Sequence, residues 1–241
     1  MPDGRPFSSA RMAGLAALNP QLLLLTWFSP AYPVGAFAYS HGLEWAQEAG
    51  DLKDAASLSA WLSDVLGHGA ARNDAILCAE AWRAGGAQDW SRAGQAAELG
   101  LAMAASSERR METATQGNAF LLATRAAHPC PGIDAFRAAW PHDCPYPVAA
   151  GIAAAGHGVP LALLLPALAL GFCANLVSAA VRLGVVGQTD GQRVLAGLMP
   201  AVASLGLEAE GATLDDLGAC AFRSDIASLA HETQYSRLFR S

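Results

Sequence analysis

Residues 145–181 read PYPVAAGIAAAGHGVPLALLLPALALGFCANLVSAAV, a stretch without a single Asp, Glu, Lys or Arg. Ala and Leu lead its composition, which favours helix over strand. A membrane-spanning helix needs about 20 apolar residues, so the stretch passes on length. It fails on texture, because Pro166, Gly171, Asn175 and Ser178 interrupt it and no second span accompanies it. Small residues every few positions suit two closely packed helices. The expectation is therefore a buried helix pair, inside the chain or at a dimer interface. A small membrane protein that fractionates with lipid is the competing reading.

The same texture extends outward. Apolar residues make up 53% of the 241 positions and charged residues 15%, against a usual charged share of about 25%. Runs of Val, Ile and Thr are scarce, and nothing reads as a linker between two cores. The fold class expected is all-α, a single-domain bundle of about ten helices of ordinary length. Residues 1–18 read as a flexible N-terminal arm, 19–230 as the helical domain and 231–241 as a tail.

On the N-terminal side, helices are expected at Leu22–Phe28, stopped by Ser29-Pro30, and from about Val34 to Glu48, ended by Gly50. The second would carry Phe37, Ser40, His41, Glu44 and Trp45 on one face. Further helices follow at Asp54–His68, Asp74–Arg83, Asp89–Ala104 and Glu108–Arg125. The Pro-rich segment His128–Pro147 reads as loop with a short helix at Phe136–Trp140. Gln188–Leu205 is amphipathic, and Thr213–Leu229 is the last long helix, with Thr213 and Asp216 spaced as a capping box.

A net charge of −6 argues against nucleic acid, whose phosphates demand clustered cations. Lys53 is the only lysine, which reads mainly as compositional bias. The five cysteines lack CxxC spacing and, with no apolar leader segment, point to reduced thiols in the cytoplasm.

Catalytic signatures are missing. There is no GxxxxGK[ST], no GxGxxG after a strand and no GxSxG. His231-Glu232-Thr233-Gln234-Tyr235 begins like HExxH, but Tyr stands where the second His would bind zinc. His128-Pro-Cys130 and His142-Asp-Cys144 repeat an HxC pair in one loop; chance in a variable loop is the stronger reading and a Zn or Ni site the weaker. His41 reads as a satisfied structural histidine paired with Glu44 one turn on, and His68 and His157 as helix-end residues. A metal-dependent hydrolase built on His41, His231 and Glu232 is the enzymatic alternative. No catalytic, cofactor or metal residue is assigned.

Three long segments carry a resemblance. They are Ser29-Pro-Ala-Tyr-Pro33-Val-Gly35-Ala-Phe37-Ala-Tyr39-Ser40-His-Gly42-Leu43-Glu44-Trp-Ala46, then Ser178 to Gln192, and last Asp225-Ile-Ala-Ser-Leu-Ala-His231-Glu232-Thr-Gln234-Tyr235-Ser236-Arg237-Leu238-Phe239-Arg240-Ser241. Together they resemble the signatures of the UreF family, over about residue 20 to the end, with departures at Val185-Val186 and Ala230. The resemblance implies an all-α, dimeric, non-enzymatic protein that binds UreD (UreH in some organisms) and recruits the GTPase UreG. It further implies docking on apo-urease, support of GTP-dependent nickel insertion, and an internal route for the metal. The candidate partner-binding residues are Tyr39, Glu44, His231, Glu232, Tyr235, Arg237, Phe239 and Arg240. The tail, with spaced anchors, is expected to become ordered on UreD, so that removing residues 231–241 would leave helicity intact and abolish UreD binding. A tail packed on its own core is the alternative. For the face with Tyr39 and Glu44, core packing and partner contact are equal alternatives; the two lie less closely on one stripe than Phe37 and Trp45, which leaves room for one of them to face outward.

Overall fold

The structure, a computed structural model, describes residues 19–218 and 220–241. The N-terminal arm expected at 1–18 lies outside the described residues. Among these residues every regular element is helical and none is a strand, as the Ala/Leu-rich composition requires.

α1 (Pro20–Trp27) has Asn19 as its cap and proline at its first position, buries Leu23, Leu24 and Trp27, and leaves Leu22 and Leu25 exposed. The helix expected over Val34–Glu48 is broken in two, a 3-10 turn at Ala36–Ala38 and α2 (Leu43–Glu48). Gly35, His41 and Gly42 all take positive φ, 78°, 56° and 78°, which a continuing right-handed helix cannot contain. α3 (Ala55–His68) begins with a reciprocal capping box between Asp54 and Ser57. α4 (Ala70–Gly86), α5 (Trp90–Ala102) and α6 (Ser107–Ala127) follow. α7 (Pro131–Ala139) replaces the shorter helix expected inside the Pro-rich segment.

The uncharged stretch forms α8 (Tyr146–Gly156) and α9 (Leu161–Arg182). α10 (Gln188–Gly211) runs back along α9. α4 is the central helix, touching α3, α5, α8, α9 and α10. Its contact with α8 is a backbone approach: a Cβ on Gly151 would lie 2.4 Å from the Cys78 carbonyl oxygen. Alanines from both helices fill the remainder of that seam, among them Ala75, Ala79, Ala81, Ala150 and Ala154, all fully or nearly fully buried. Dense contact of small residues maximises dispersion over the interface. α9 and α10 meet in the same way, with Gly206 against Pro166 and Gly191 against Val177.

α10 corrects one expectation. By length and composition both α9 and α10 could cross a membrane, with mean hydropathy 2.1 and 1.2 over their most apolar windows, so a second such segment does exist. Both lie against the central α4 and against each other. The last long helix is also divided. Thr213 and Asp216 do form a capping box, but on a 3-10 turn at Leu214–Asp216. Gly218, at φ 127°, precedes a separate α11 (Phe222–His231).

Candidate functional site: a tail locked by buried carboxylates

Three glutamates, scarce charges in an apolar chain, converge where α2, α6 and α11 meet. Glu44 sits in the first turn of α2. Gly42, just before it, lies so close to α11 that a Cβ there would stand 2.7 Å from the Ser228 nitrogen. Glu108 and Glu112 are one turn apart on α6, and Gln116 one turn further. All four side chains are buried, so each needs partners to offset its desolvation.

The C-terminal segment supplies most of them. Glu44 accepts hydrogen bonds from the backbone N–H groups of Leu238 (2.6 Å) and Phe239 (2.9 Å), and its Oε2 lies 3.2 Å from His231 Nε2. Glu108 lies 2.6 Å from His231 Nδ1 and accepts from Arg237 at 2.7 Å. With a carboxylate at each ring nitrogen, His231 donates to both only as the imidazolium. Glu112 accepts from the Ser241 hydroxyl (2.7 Å) and the Gln116 amide (2.9 Å), contacts His41 Nε2 at 2.7 Å and pairs with Arg109. Burial by itself would raise the Glu112 pKa. The charges of Arg109 and His41 and the bonds from His41 and Ser241 outweigh it and hold the carboxyl down at about 2. Burial, with Arg109, pushes His41 the other way, below its ordinary value, against the pull of Glu112.

Backbone bonds complete the lock. Arg240 N–H donates to the Ala38 carbonyl (2.8 Å), and the Ser40 N–H and hydroxyl both donate to the Ser241 main-chain oxygen. The Phe239 ring is buried and lies 4.3 Å from the Arg182 guanidinium, which also covers Phe37 at 3.6 Å. The 3-10 turn, α2 and the last residues thus form one interlocked unit.

Of the residues singled out from sequence, Tyr39, Glu44, His231 and Phe239 are buried in this unit. Tyr39 and Glu44 are both inward, so neither takes the outward place that the stripe argument left open. The cause is the irregular backbone at His41 and Gly42, which removes the helix on which that argument was based. Glu232 accepts from the N–H and hydroxyl of Ser107, bonds that lower its pKa. Arg237 and Arg240 lie at the surface, and Tyr235 is fully exposed. The expected His41–Glu44 pair does not form: His41 turns to Glu112, and His231 takes Glu44. Sequence reasoning passed over Glu108, Arg109, Glu112 and Ser241. The legible signal was the Glu108/Glu112/Gln116 spacing on one helix face.

The HxC loop does not assemble. His128 accepts from the Trp27 indole at 3.4 Å, His142 meets Trp140 edge to face, and the Cys130 and Cys144 thiols are buried. Burial raises both thiol pKa values, which disfavours the thiolate a metal would need. Among the described residues no group of three or more His, Cys, Asp or Glu is placed to hold a metal ion. His157 caps the end of α8, as expected, and contacts the His128 carbonyl.

Outside the lock, α11 turns Phe222, Ile226 and Leu229 to solvent, 75%, 55% and 50% exposed. Their spacing of four and three places them on one helix face. Tyr235 and Leu238 on the docked tail are exposed as well.

The UreF family model matches residues 52–199. A urease accessory protein UreF of Methylobacterium sp. (strain 4-46) is 57% identical over 220 residues, covering 91% of this chain and 88% of the relative. Its counterpart in Xanthobacter autotrophicus is 53% identical over 220 residues, covering 91% and 90%. That of Azorhizobium caulinodans is 50% identical over 230 residues, covering 95% and 99%. The chain belongs to the UreF family. Two of the three segments that carried the UreF resemblance, Ser29–Ala46 and Asp225–Ser241, meet in the carboxylate lock, where α6 adds Glu108 and Glu112. They lie far apart in sequence and beyond the residues matched by the UreF family model, and the fold joins them.

Proposed function

We propose that this chain is a non-enzymatic scaffold of urease maturation. It bridges UreD (UreH) and the GTPase UreG and supports GTP-dependent nickel insertion into apo-urease, acting in the cytoplasm as a homodimer within the complex. The family and the names of the relatives support the maturation role. The observation that carries the scaffold reading is the set of exposed apolar side chains, Phe222, Ile226 and Leu229 on one face of α11 and Tyr235 and Leu238 on the tail that the lock holds in place. Monomeric proteins keep such surface small, and clustered exposed apolar residues mark binding faces. The docked tail changes how the partner contact is read. Glu44, His231 and Phe239 fix the tail from beneath, while Tyr235 and Leu238 are the residues that reach UreD.

The test is co-purification of the tagged chain with UreD and UreG from a host expressing the urease genes. Recovery of both, with stoichiometric UreD, is the expected result. A folded sample that retains neither would overturn the scaffold role. Deleting residues 231–241 is a poor substitute, because it would strip partners from three buried carboxylates and destabilise the body along with the contact.

A further inference from the structure

Asp74, on α4, is a half-buried carboxylate that the tail lock does not use. Among the described residues its side chain takes part in no hydrogen bond or ion pair. It stands between two cavities, one of about 140 Å³ and one of about 90 Å³, and His41, Asp74, Arg109 and Thr113 are walls of both. The exposed Pro30 and Phe37 line the larger cavity, and Tyr32, Phe172 and Tyr146 furnish aromatic wall.

The charges in this space do not cancel. Arg109 is held by Glu112, which also engages His41 and Ser241. Burial favours the neutral imidazole of His41. Ionised Asp74 then has only Arg109, already paired with Glu112, as a neighbouring cation, and Asp225 in the lining of the smaller cavity adds a further negative charge. A carboxylate with no bonded side-chain partner in a recess partly walled by aromatic faces attracts an organic cation twice, through its charge and through the ring quadrupoles. Liquid water occupies about 30 Å³ per molecule, so the larger cavity has room for a group of several heavy atoms.

We propose that the Asp74 chamber binds a primary ammonium or guanidinium group, carried by a small free molecule or by a lysine or arginine side chain of a partner. Binding strengthens with pH as Asp74 loses its proton, because burial, reinforced by Glu112 and opposed by Arg109, pushes that carboxyl up to about 6. The other titratable groups facing the chamber, Tyr32 and Tyr146, are pushed further above neutrality by burial and stay uncharged.

The experiment titrates the full chain with n-butylammonium and n-butylguanidinium, reading heat and tryptophan fluorescence, Trp27 being part of the chamber wall. n-Butanol serves as the uncharged isostere. Saturable binding of the cations at pH 7.5 is expected, about tenfold weaker at pH 5, and lost in Asp74→Asn with an undiminished melting temperature. Binding undiminished in Asp74→Asn, equal binding of n-butanol, saturable binding of a divalent metal ion but of neither organic cation, or no saturable binding would each overturn the proposal. Titrating the purified complex with n-butylammonium then identifies the source. Release of a partner assigns the site to a partner's side chain; an intact complex that still binds the cation assigns it to a free molecule.

Discussion

Replacing Glu44 with alanine should free the tail while leaving the helical body folded. Glu44 accepts two backbone N–H bonds, from Leu238 and Phe239, and touches His231 as well. Hydrogen bonds to a charged group contribute about 1.5–3 kcal/mol each, so the two N–H bonds together are worth about 3–6 kcal/mol. At about 1.4 kcal/mol per decade, the substitution lowers tail protection by roughly two to four orders of magnitude. The ceiling is set by the total docking energy, which Phe239, Ser241 and Arg240 also supply. Hydrogen exchange read by mass spectrometry on peptides spanning 232–241 measures this directly. Peptides from α4 and α8 should keep their protection, because their Gly/Ala seam lies elsewhere. Glu44→Gln should fall between the two, since one of its side-chain oxygens is replaced by a donor that faces an N–H. Tail exchange in Glu44→Ala within about threefold of the parent would refute the reasoning. So would loss of protection spread evenly over the whole chain, which would mean that tail and body are one cooperative unit.

Other consequences are as direct. Asp74 holds its proton more tightly folded than unfolded, so its contribution is full below about pH 3.8 and is lost as pH rises to about 6. At most about 3 kcal/mol is at stake, and chemical denaturation of Asp74→Asn should show that decline removed and stability at pH 7 raised. Glu112 has the opposite sign: held down at about 2 against an ordinary 4.5, it stabilises fully above that value and less as pH falls toward 2. Glu112→Gln should therefore lose stability at neutral pH and show a weaker acid transition, followed by circular dichroism. Gly42→Ala should cost at least about 2 kcal/mol in thermal melts, combining a positive φ with a backbone contact at 2.7 Å. Gly151→Val should prevent folding, because the Cys78 carbonyl leaves no space for a Cβ, and a soluble, cooperatively melting variant would contradict the packing described for α4 and α8.

The helices were legible where the sequence had a clear period and an ordinary cap, as at Asp54–Ser57 and Asp89. Reading failed at His41-Gly42 and at Gly218, where left-handed or strained backbone is imposed by packing against distant elements rather than by local propensity. Apolar spacing marked α9 and, as the amphipathic Gln188–Leu205, α10, but the polar first turn of α10 hid how apolar its remainder is. The candidate site was half legible. Glu44 and the tail residues stood out, but what they do could not be read, because their partners lie more than 100 positions away. Pairing Glu44 with His41 one turn along was the local choice, and the fold instead gave each a partner from another helix. Chain separation of that kind leaves no trace in spacing: the Glu108/Glu112/Gln116 run marks a polar face on α6, but what that face meets, and the place of Asp74, are set by the fold.

The central claim is that the docked tail and α11 present one apolar face to UreD, and the affinity of UreD for Tyr235→Ala/Leu238→Ala tests it most directly. Both side chains point to solvent, so the double variant should match the parent in helicity, melting temperature and tail hydrogen exchange. The account predicts that UreD affinity nonetheless falls by at least tenfold, as two interface anchors of about 1 kcal/mol or more each require. Affinity unchanged, with the tail still docked, would contradict it and place the UreD contact elsewhere on the chain.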